Sequence, residues 1–393
     1  MSRVIKILHT EWSDGWGGQE IRILAESNAF IKKGYEITIA ARPESELYKK
    51  STQAGIHTFA LKMNKGLNLL AILALVKFIK INKIQIVHTH SSVDSRTAGI
   101  AARICGVKVV RSRHISIPIS KSFITRWQYM NLADKVIASG RDICNTMINI
   151  NKMTSSKIIS APAGADTKQF NLTRELDDIR PKYNLSEKHF VIGIVSVLRS
   201  WKGHKYLIEA INIAKKCIPE IRLIIVGTGP QEEIIKNLIN QLKLDPYVIL
   251  TGHHPDPAPF FKAMDIMVLP SYSGEATSQV LPQAMLMGKP VISTNIGGLS
   301  EVVINNKTGL VVPSKDSFAI ANGGATFYRN RVNTYLKQGL KLKEAESKAF
   351  NDFSEIAEET QQSARPDMVS QQQASPLGKL ILAFQNVTSQ FNR

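Results

Sequence analysis

Val191-Ile192-Gly193-Ile194-Val195-Ser196-Val197-Leu198-Arg199-Ser200-Trp201-Lys202-Gly203-His204 is the stretch that decides the fold of this chain. Its first seven residues form a near-continuous apolar run, as expected of a strand buried on both faces of a parallel sheet. A short polar loop follows, and residues 206–214 then keep helical spacing. A second apolar run at 223–226 stops at Gly227-Thr228-Gly229-Pro230. Runs at 248–250, Ile266–Leu269, Val291–Thr294 and Leu310–Val312 predict further strands, with helices between them. Strand, loop and helix in steady alternation point to a doubly wound α/β sheet.

The same rhythm precedes this stretch. Residues 4–8 predict a strand, followed by the turn Gly15-Trp16-Gly17-Gly18. Ile21, Leu24, Ala25 and Ala29 keep helical spacing up to Gly34, and residues 35–40, 84–88 and 107–110 resume as strands. Residues 162–178 interrupt the pattern with Pro, Gly, Asp and Asn, which suggests a linker. Two successive α/β units imply two doubly wound domains facing each other. In open α/β sheets ligands collect at the carboxyl ends of the strands, so a cleft between the halves is the expected site.

At 393 residues, 44% hydrophobic and 21% charged, the chain has room for two ordinary globular domains and is not disordered throughout. The longest apolar run, residues 67–76, stops at Lys77, which argues against a spanning helix. Residues 1–8 show no signal-peptide pattern. Cys105, Cys144 and Cys217 lie far apart, without the spacing of a zinc site or a disulfide framework. A cytoplasmic, reduced, metal-free protein is the expectation. The net charge of +18 is uneven: residues 1–180 hold 27 Lys/Arg against 14 Asp/Glu, and residues 181–393 hold 23 against 18. Such a field attracts nucleic acid, an anionic membrane face or phosphorylated substrates, and composition alone does not choose among them.

Several loops with glycine fall where a strand ends and a helix begins. There the helix N-terminal amides and dipole favour phosphate, and glycine lets the backbone approach. The first is Gly17-Gly18-Gln19-Glu20, but neither a dinucleotide fingerprint nor a P-loop accompanies it. Arg199 and Lys202 place two cations beside a helix start. Residues 273–285, with Glu275, and residues 295–303, with Gly297, Gly298 and Glu301, repeat the strand–turn–helix design. Two cations, one carboxylate and two helix starts suit a pyrophosphate joined to a sugar.

In this order and spacing, over roughly residues 1–320, the chain resembles the retaining glycosyltransferases of family 4, which have the GT-B fold. The resemblance rests on Gly17-Gly18-x-Glu20, His88-Thr89-His90-Ser91, Pro162-x-Gly164-x-Asp166 with Phe170, and Gly227-x-Gly229-Pro230. The Glu275 segment and Gly297-Gly298 with Glu301 complete it. It implies an N-terminal acceptor-side domain at 1–165, a linker at 166–188 and a nucleotide-sugar-binding domain at 189–320. The tail at 321–393 is atypical, part helical and part low-complexity, and reads either as a foreign or fused segment or as an ordinary divergent tail.

The resemblance also implies roles. Glu275 stands at the first of two glutamates that in the family are separated by seven residues, and would contact the donor sugar. The second position is Gln283, where an amide replaces the carboxylate that meets the ribose hydroxyls; it can still accept one hydrogen bond and donate another. The family's arginine five residues before the lysine is Val197 here, so Arg199 would join Lys202 on the diphosphate. Thr277, Ser278, Gln279 and Val280 would offer backbone amides to phosphate, and His253 would lie near the base. Gly17, Gly18 and Gly227 complete the donor set. His114 resembles the histidine beside the donor sugar, and His90, Arg111 and Arg113 fall on the acceptor side. The reaction would proceed with retention and without a metal or other cofactor. A glycan or lipid-linked acceptor of cell-envelope polysaccharide or lipopolysaccharide synthesis would receive the sugar.

A GT-B-type nucleotide-sugar epimerase is the alternative enzyme, and a basic nucleic-acid-binding protein the remote one; no RNA-binding aromatic motif or recognition helix is present to support the latter. A helix over residues 67–78, rich in leucine and edged by Lys77, Lys80 and Lys83, is expected either to cover the sheet or to lie at an anionic membrane surface. The second possibility would make the protein peripheral on the inner face of the cytoplasmic membrane.

Overall fold

The computed structural model describes residues 4–66, 68–116, 119–216 and 218–324. One compact unit ends at Ala163 and the next begins at Gly164. In the first, seven short runs become parallel strands: β1 (Lys6–Thr10), β2 (Glu36–Ala41), β3 (His57–Ala60), β4 (Ile86–Thr89), β5 (Lys108–Arg113), β6 (Lys135–Ala138) and β7 (Ile158–Ser160). Their order across the sheet is β3-β2-β1-β4-β5-β6-β7. Between them run α1 (Gly18–Ile31), α2 (Glu46–Gln53), α3 (Leu69–Asn82), α4 (Ser92–Ile104), α5 (Phe123–Trp127) and α6 (Arg141–Asn145). Every residue of β4 is buried, as a strand covered on both faces requires.

Sequence periodicity misses β3, β6 and β7. The two edge strands, β3 and β7, are short and half-exposed, so neither needs a continuous apolar run. β1 ends two residues beyond the apolar run, because its last two positions are the polar but buried His9 and Thr10.

The second unit repeats the plan with β8 (Phe190–Val195), β9 (Ile221–Val226), β10 (Val248–Gly252), β11 (Ile266–Leu269), β12 (Val291–Thr294) and β13 (Leu310–Val312), in the order β10-β9-β8-β11-β12-β13. Its helices are α7 (His204–Ala214), α8 (Glu232–Gln241), α9 (Ala258–Ala263) and α10 (Val280–Leu286). Alternate strand residues feed two separate cores. Ile192, Leu223, Ile225 and Val268 pack on one face, and Val191, Ile224, Val226 and Met267 on the other. The period of two thus places helices against both faces.

Residues 166–188, expected as a linker, pack into this second unit: Phe170 and Leu185 are buried in its core beside Phe261. The tail expected at 321–393 lies, beyond Gly324, outside the described residues, as do Leu67 and Cys217.

Helix α3 is apolar on two sides. Ala71, Ile72, Leu75 and Ile79 are buried, while Leu69, Leu70 and Leu73 are 63%, 80% and 65% exposed. Lys77, Lys80 and Lys83 are exposed as well. Among the described residues no helix is long and apolar enough to cross a membrane.

Candidate functional site

In the second unit the strand order reverses at β8, which lies between β9 and β11. Such a reversal leaves a crevice at the carboxyl ends of the strands. The loop leaving β8 is tied to the loop leaving β9: Leu198 N–H donates to Thr228 O at 3.0 Å, and Gln231 N–H to Leu198 O at 3.0 Å. Gly227 makes the approach possible, since its φ is +141° and a Cβ there would lie 2.0 Å from Ser196 O. Ser200–Lys202 then form a 3-10 turn that closes at Gly203. Gly203 has φ +77°, and a Cβ on it would lie 2.1 Å from Pro270 O, at the end of β11. Tyr272 N–H donates to Trp201 O at 2.9 Å. The loops after β8 and β11 are therefore fastened together by backbone.

That fastening brings two sequence-predicted residues into contact. Lys202 Nζ lies 2.5 Å from Glu275 Oε1, and Ser271 Oγ donates to the same oxygen at 2.6 Å. Glu275 is only 5% exposed, and Lys202 is half-buried. Ser271 is itself fixed, because Thr294 Oγ1 donates to its carbonyl. The result is a pre-set carboxylate with an ammonium beside it, groups that suit a sugar hydroxyl and a phosphate oxygen respectively.

The remaining donor-side residues differ in exposure. Arg199 is exposed, its guanidinium 5.0 Å from the Trp201 ring centre. Thr277 is buried, and Ser278, Gln279 and Val280 are half-buried where α10 begins. Gln283 is half-buried one turn into α10. His253 is exposed just past β10, whereas His254 is held by a contact of 3.1 Å between Nε2 and Thr251 O.

His204 and Ser271 escape the sequence reading. His204 is buried at the start of α7, with Nε2 3.1 Å from Ser196 Oγ. Burial, and secondarily the charge of Lys202, push its pKa down to about 4. The signal for it was its place next to Gly203, at a strand-to-helix turn. Nothing in sequence marks Ser271 until the fold turns it onto Glu275.

In the first unit the order reverses at β1, between β2 and β4. Gly17 caps α1, and its N–H donates to Glu20 Oε2 at 2.9 Å. Glu11, just past β1, accepts from the Trp12 and Ser13 amides at 2.8 and 2.9 Å and from the Gln19 side chain. Burial foremost, then the charge of Asp94, raises the Glu11 pKa to about 8. The Gly17–Gly18 turn is thus lined by carboxyl groups, and the Gly17 amide is already occupied by one.

His9 and His88 are register partners on β1 and β4. His90 lies just past β4 and His114 just past β5. His90 Nδ1 lies 3.0 Å from His114 Nε2, so the fold brings together these two histidines singled out from sequence. His9 joins them through His90 Nε2 at 3.0 Å, a contact the sequence did not disclose. Burial holds all four imidazoles well below the usual histidine range, His9 at about 3. Candidate ligand nitrogens of His9, His88 and His90 lie within 4.8 Å of one another, the one grouping among the described residues near enough to share a metal ion.

Arg111, expected on the acceptor side, is not an exposed cation. It is buried, with its guanidinium 3.6 Å over the Tyr129 ring. Arg113 is half-buried at the strand end.

Two family models match the chain: Glycosyltransferase Family 4 over residues 16–169, and Glycosyl transferases group 1 over residues 176–345. A UDP-Gal:alpha-D-GlcNAc-diphosphoundecaprenol alpha-1,3-galactosyltransferase of Escherichia coli is 26% identical over 338 residues, 81% of this chain and 86% of that protein. The crystal structure of a glycosyltransferase from Rickettsia africae ESF-5 superposes with a TM-score of 0.76 at 22% identity, covering 94% of this chain and 99% of that one. HepE of Anabaena, solved with UDP-glucose, gives 0.72 at 21% identity over 91% and 100%.

Proposed function

The chain belongs to the family 4 type of GT-B glycosyltransferases, and from that membership we propose that it transfers a sugar with retention from a nucleotide-sugar donor to a glycan or lipid-linked acceptor in cell-envelope polysaccharide or lipopolysaccharide synthesis. The E. coli relative, whose name specifies a UDP-sugar and a diphosphoundecaprenol-linked acceptor, supports the choice of substrate classes. A hexose or N-acetylhexosamine is the transferred group. Epimerisation of a nucleotide sugar is not favoured by these matches.

The observation that carries the reading is the Lys202–Glu275 pair at the carboxyl ends of β8 and β11. In the proposed reaction Glu275 holds the donor sugar, while Lys202 and Arg199 receive the negative charge that grows on the leaving diphosphate. Groups set in place beforehand stabilise that charge more in the transition state than in the ground state. The residues at 277–280 add backbone amides, Gln283 meets the ribose and His253 borders the base. Gly17, Gly18 and Gly227 let the backbone come close, and His114 stands beside the sugar. The leaving phosphate takes the acceptor's proton on the same face, so neither a metal nor a covalent nucleophile is called for. His90, Arg111 and Arg113 belong to the acceptor side.

The exposed leucines and lysines of α3 support a peripheral position on the inner face of the cytoplasmic membrane, where a lipid-linked acceptor would be reached. The test is a calorimetric screen of UDP-, GDP- and ADP-sugars, followed by acceptor assays with the donor that binds and NMR of the product's anomeric centre. One nucleotide class should bind, and the anomeric configuration should be kept. Inversion would reject the proposed mechanism, and epimer formation without acceptor would reject transfer.

A further inference from the structure

Three imidazoles of the first unit form a hydrogen-bonded chain, whose inner ring, His9, has no task in the proposed chemistry. His9 Nδ1 meets His90 Nε2, and His90 Nδ1 meets His114 Nε2, each at 3.0 Å. The rings meet edge to edge at both steps, with interplanar angles of 10° and 23° and centroids 5.3 Å apart. Burial deepens along the chain: His114 is half-buried, His90 nearly covered and His9 fully covered. At the inner end His9 Nε2 is buried with no hydrogen-bond partner among the described residues.

Burial keeps the three rings neutral, so each carries one proton on two nitrogens. Each N···N contact needs one N–H and one lone pair, and a choice at any ring therefore fixes the others. If the protons point inward, His9 Nε2 becomes a buried N–H with nothing to accept it. If they point outward, His9 donates from Nδ1 to His90, His90 donates from Nδ1 to His114, and only a bare lone pair is left at His9. An orphaned donor is the rarer and costlier loss. The outward arrangement leaves the His114 proton on Nδ1.

We propose that His90 and His9 are positioning residues for His114, and that the chain holds His114 as its Nδ1–H tautomer so that it offers an N–H to an oxygen of the sugar nucleotide. The proposal rests on the reading that places His114 beside the donor. Which ring nitrogen carries the proton is set by what the other nitrogen binds, which is the means by which a remote ring can act here. A metal ion shared by His9, His88 and His90 is the competing use of the same nitrogens. It would require His90, both of whose ring nitrogens are engaged, to give up one of its two bonds to His9 and His114.

The test uses the full chain labelled with 15N-histidine and long-range proton–nitrogen correlation spectra. Wild type should show His114 as Nδ1–H. His90→Leu should abolish that state, and so should His9→Phe, although it lies two hydrogen bonds away from His114. Donor turnover should fall about tenfold in both, the worth of roughly one hydrogen bond. His114 found as Nε2–H in wild type, or a tautomer unmoved in both variants, would overturn the proposal. So would stoichiometric Zn2+ binding by wild type that His9→Phe abolishes. If neither variant folds, the wild-type tautomer alone decides. Full turnover by His114→Ala, with the tautomer as expected, would reject the donor-side reading of His114 and leave the chain itself intact.

Discussion

Lys202 and Glu275, 73 residues apart in sequence, meet at 2.5 Å and join the loop after β8 to the loop after β11. Gly203 packed on Pro270 O and the Tyr272–Trp201 backbone bond leave these side chains no need to search for each other. Their geometry is therefore set before any ligand arrives, which is the condition for electrostatic stabilisation of a leaving group.

Glu275→Ala should lower turnover at least about 100-fold, as loss of one preorganised electrostatic contact does. Circular dichroism and a cooperative melt should show the fold retained. Near-normal turnover would remove Glu275 from the site. In a double-mutant cycle with Lys202→Met, the effects on melting should be far from additive, because the two groups share one bond.

Gln283→Glu restores a carboxylate at the second position of the family's pair. Activity should be kept and the nucleoside diphosphate bound several-fold more tightly in the calorimeter, since a charged acceptor makes the stronger hydrogen bond. Complete inactivation with an intact fold would mean that this position has been rebuilt for a different role.

Gly203→Ala should destabilise the chain by at least about 2 kcal/mol in urea titrations. The added Cβ meets a backbone carbonyl, not a flexible side chain, and the residue sits in a left-handed conformation. Turnover should fall with it, because the same turn carries Lys202. Unchanged stability would show that the two loops are not held together there.

Glu11 gives the fold a pH dependence whose sign follows from its raised pKa. An unfolded glutamic acid titrates near 4.5, whereas burial keeps this one protonated to about 8. Its contribution is fully present below about 4.5 and is lost as pH rises through about 8. The melting temperature should therefore decline between these values, and Glu11→Gln should flatten the decline. A wild-type curve identical to that of the variant would disprove the assignment.

Co-sedimentation should occur with anionic vesicles and not with neutral ones, and it should weaken between low and physiological salt. Each lysine near the lipid contributes on the order of 1 kcal/mol, so Lys77, Lys80 and Lys83 with a few neighbours suffice for reversible binding. Replacing Leu70 and Leu73 by serine should reduce binding while leaving donor affinity unchanged. Equal binding to both vesicle types would defeat the electrostatic account.

Much of this protein follows from local pattern. Continuous Val/Ile runs such as residues 191–195 can be satisfied only inside a parallel sheet covered on both faces, so two doubly wound units are legible without coordinates. Glu275, Lys202 and the strand-end glycines are legible too, since each sits at a strand-to-helix turn, where the backbone itself makes a binding place. What only the tertiary structure decided is which of these groups touch. Parallel strands distant in sequence align side by side, so the register of β1 with β4 and β5 gathers His9, His90 and His114, and the closure of two loops joins Lys202 to Glu275. The same packing buried Arg111 over Tyr129 and left Leu69, Leu70 and Leu73 in the open. Periodicity records which side of an element is apolar; only packing shows whether that side is covered.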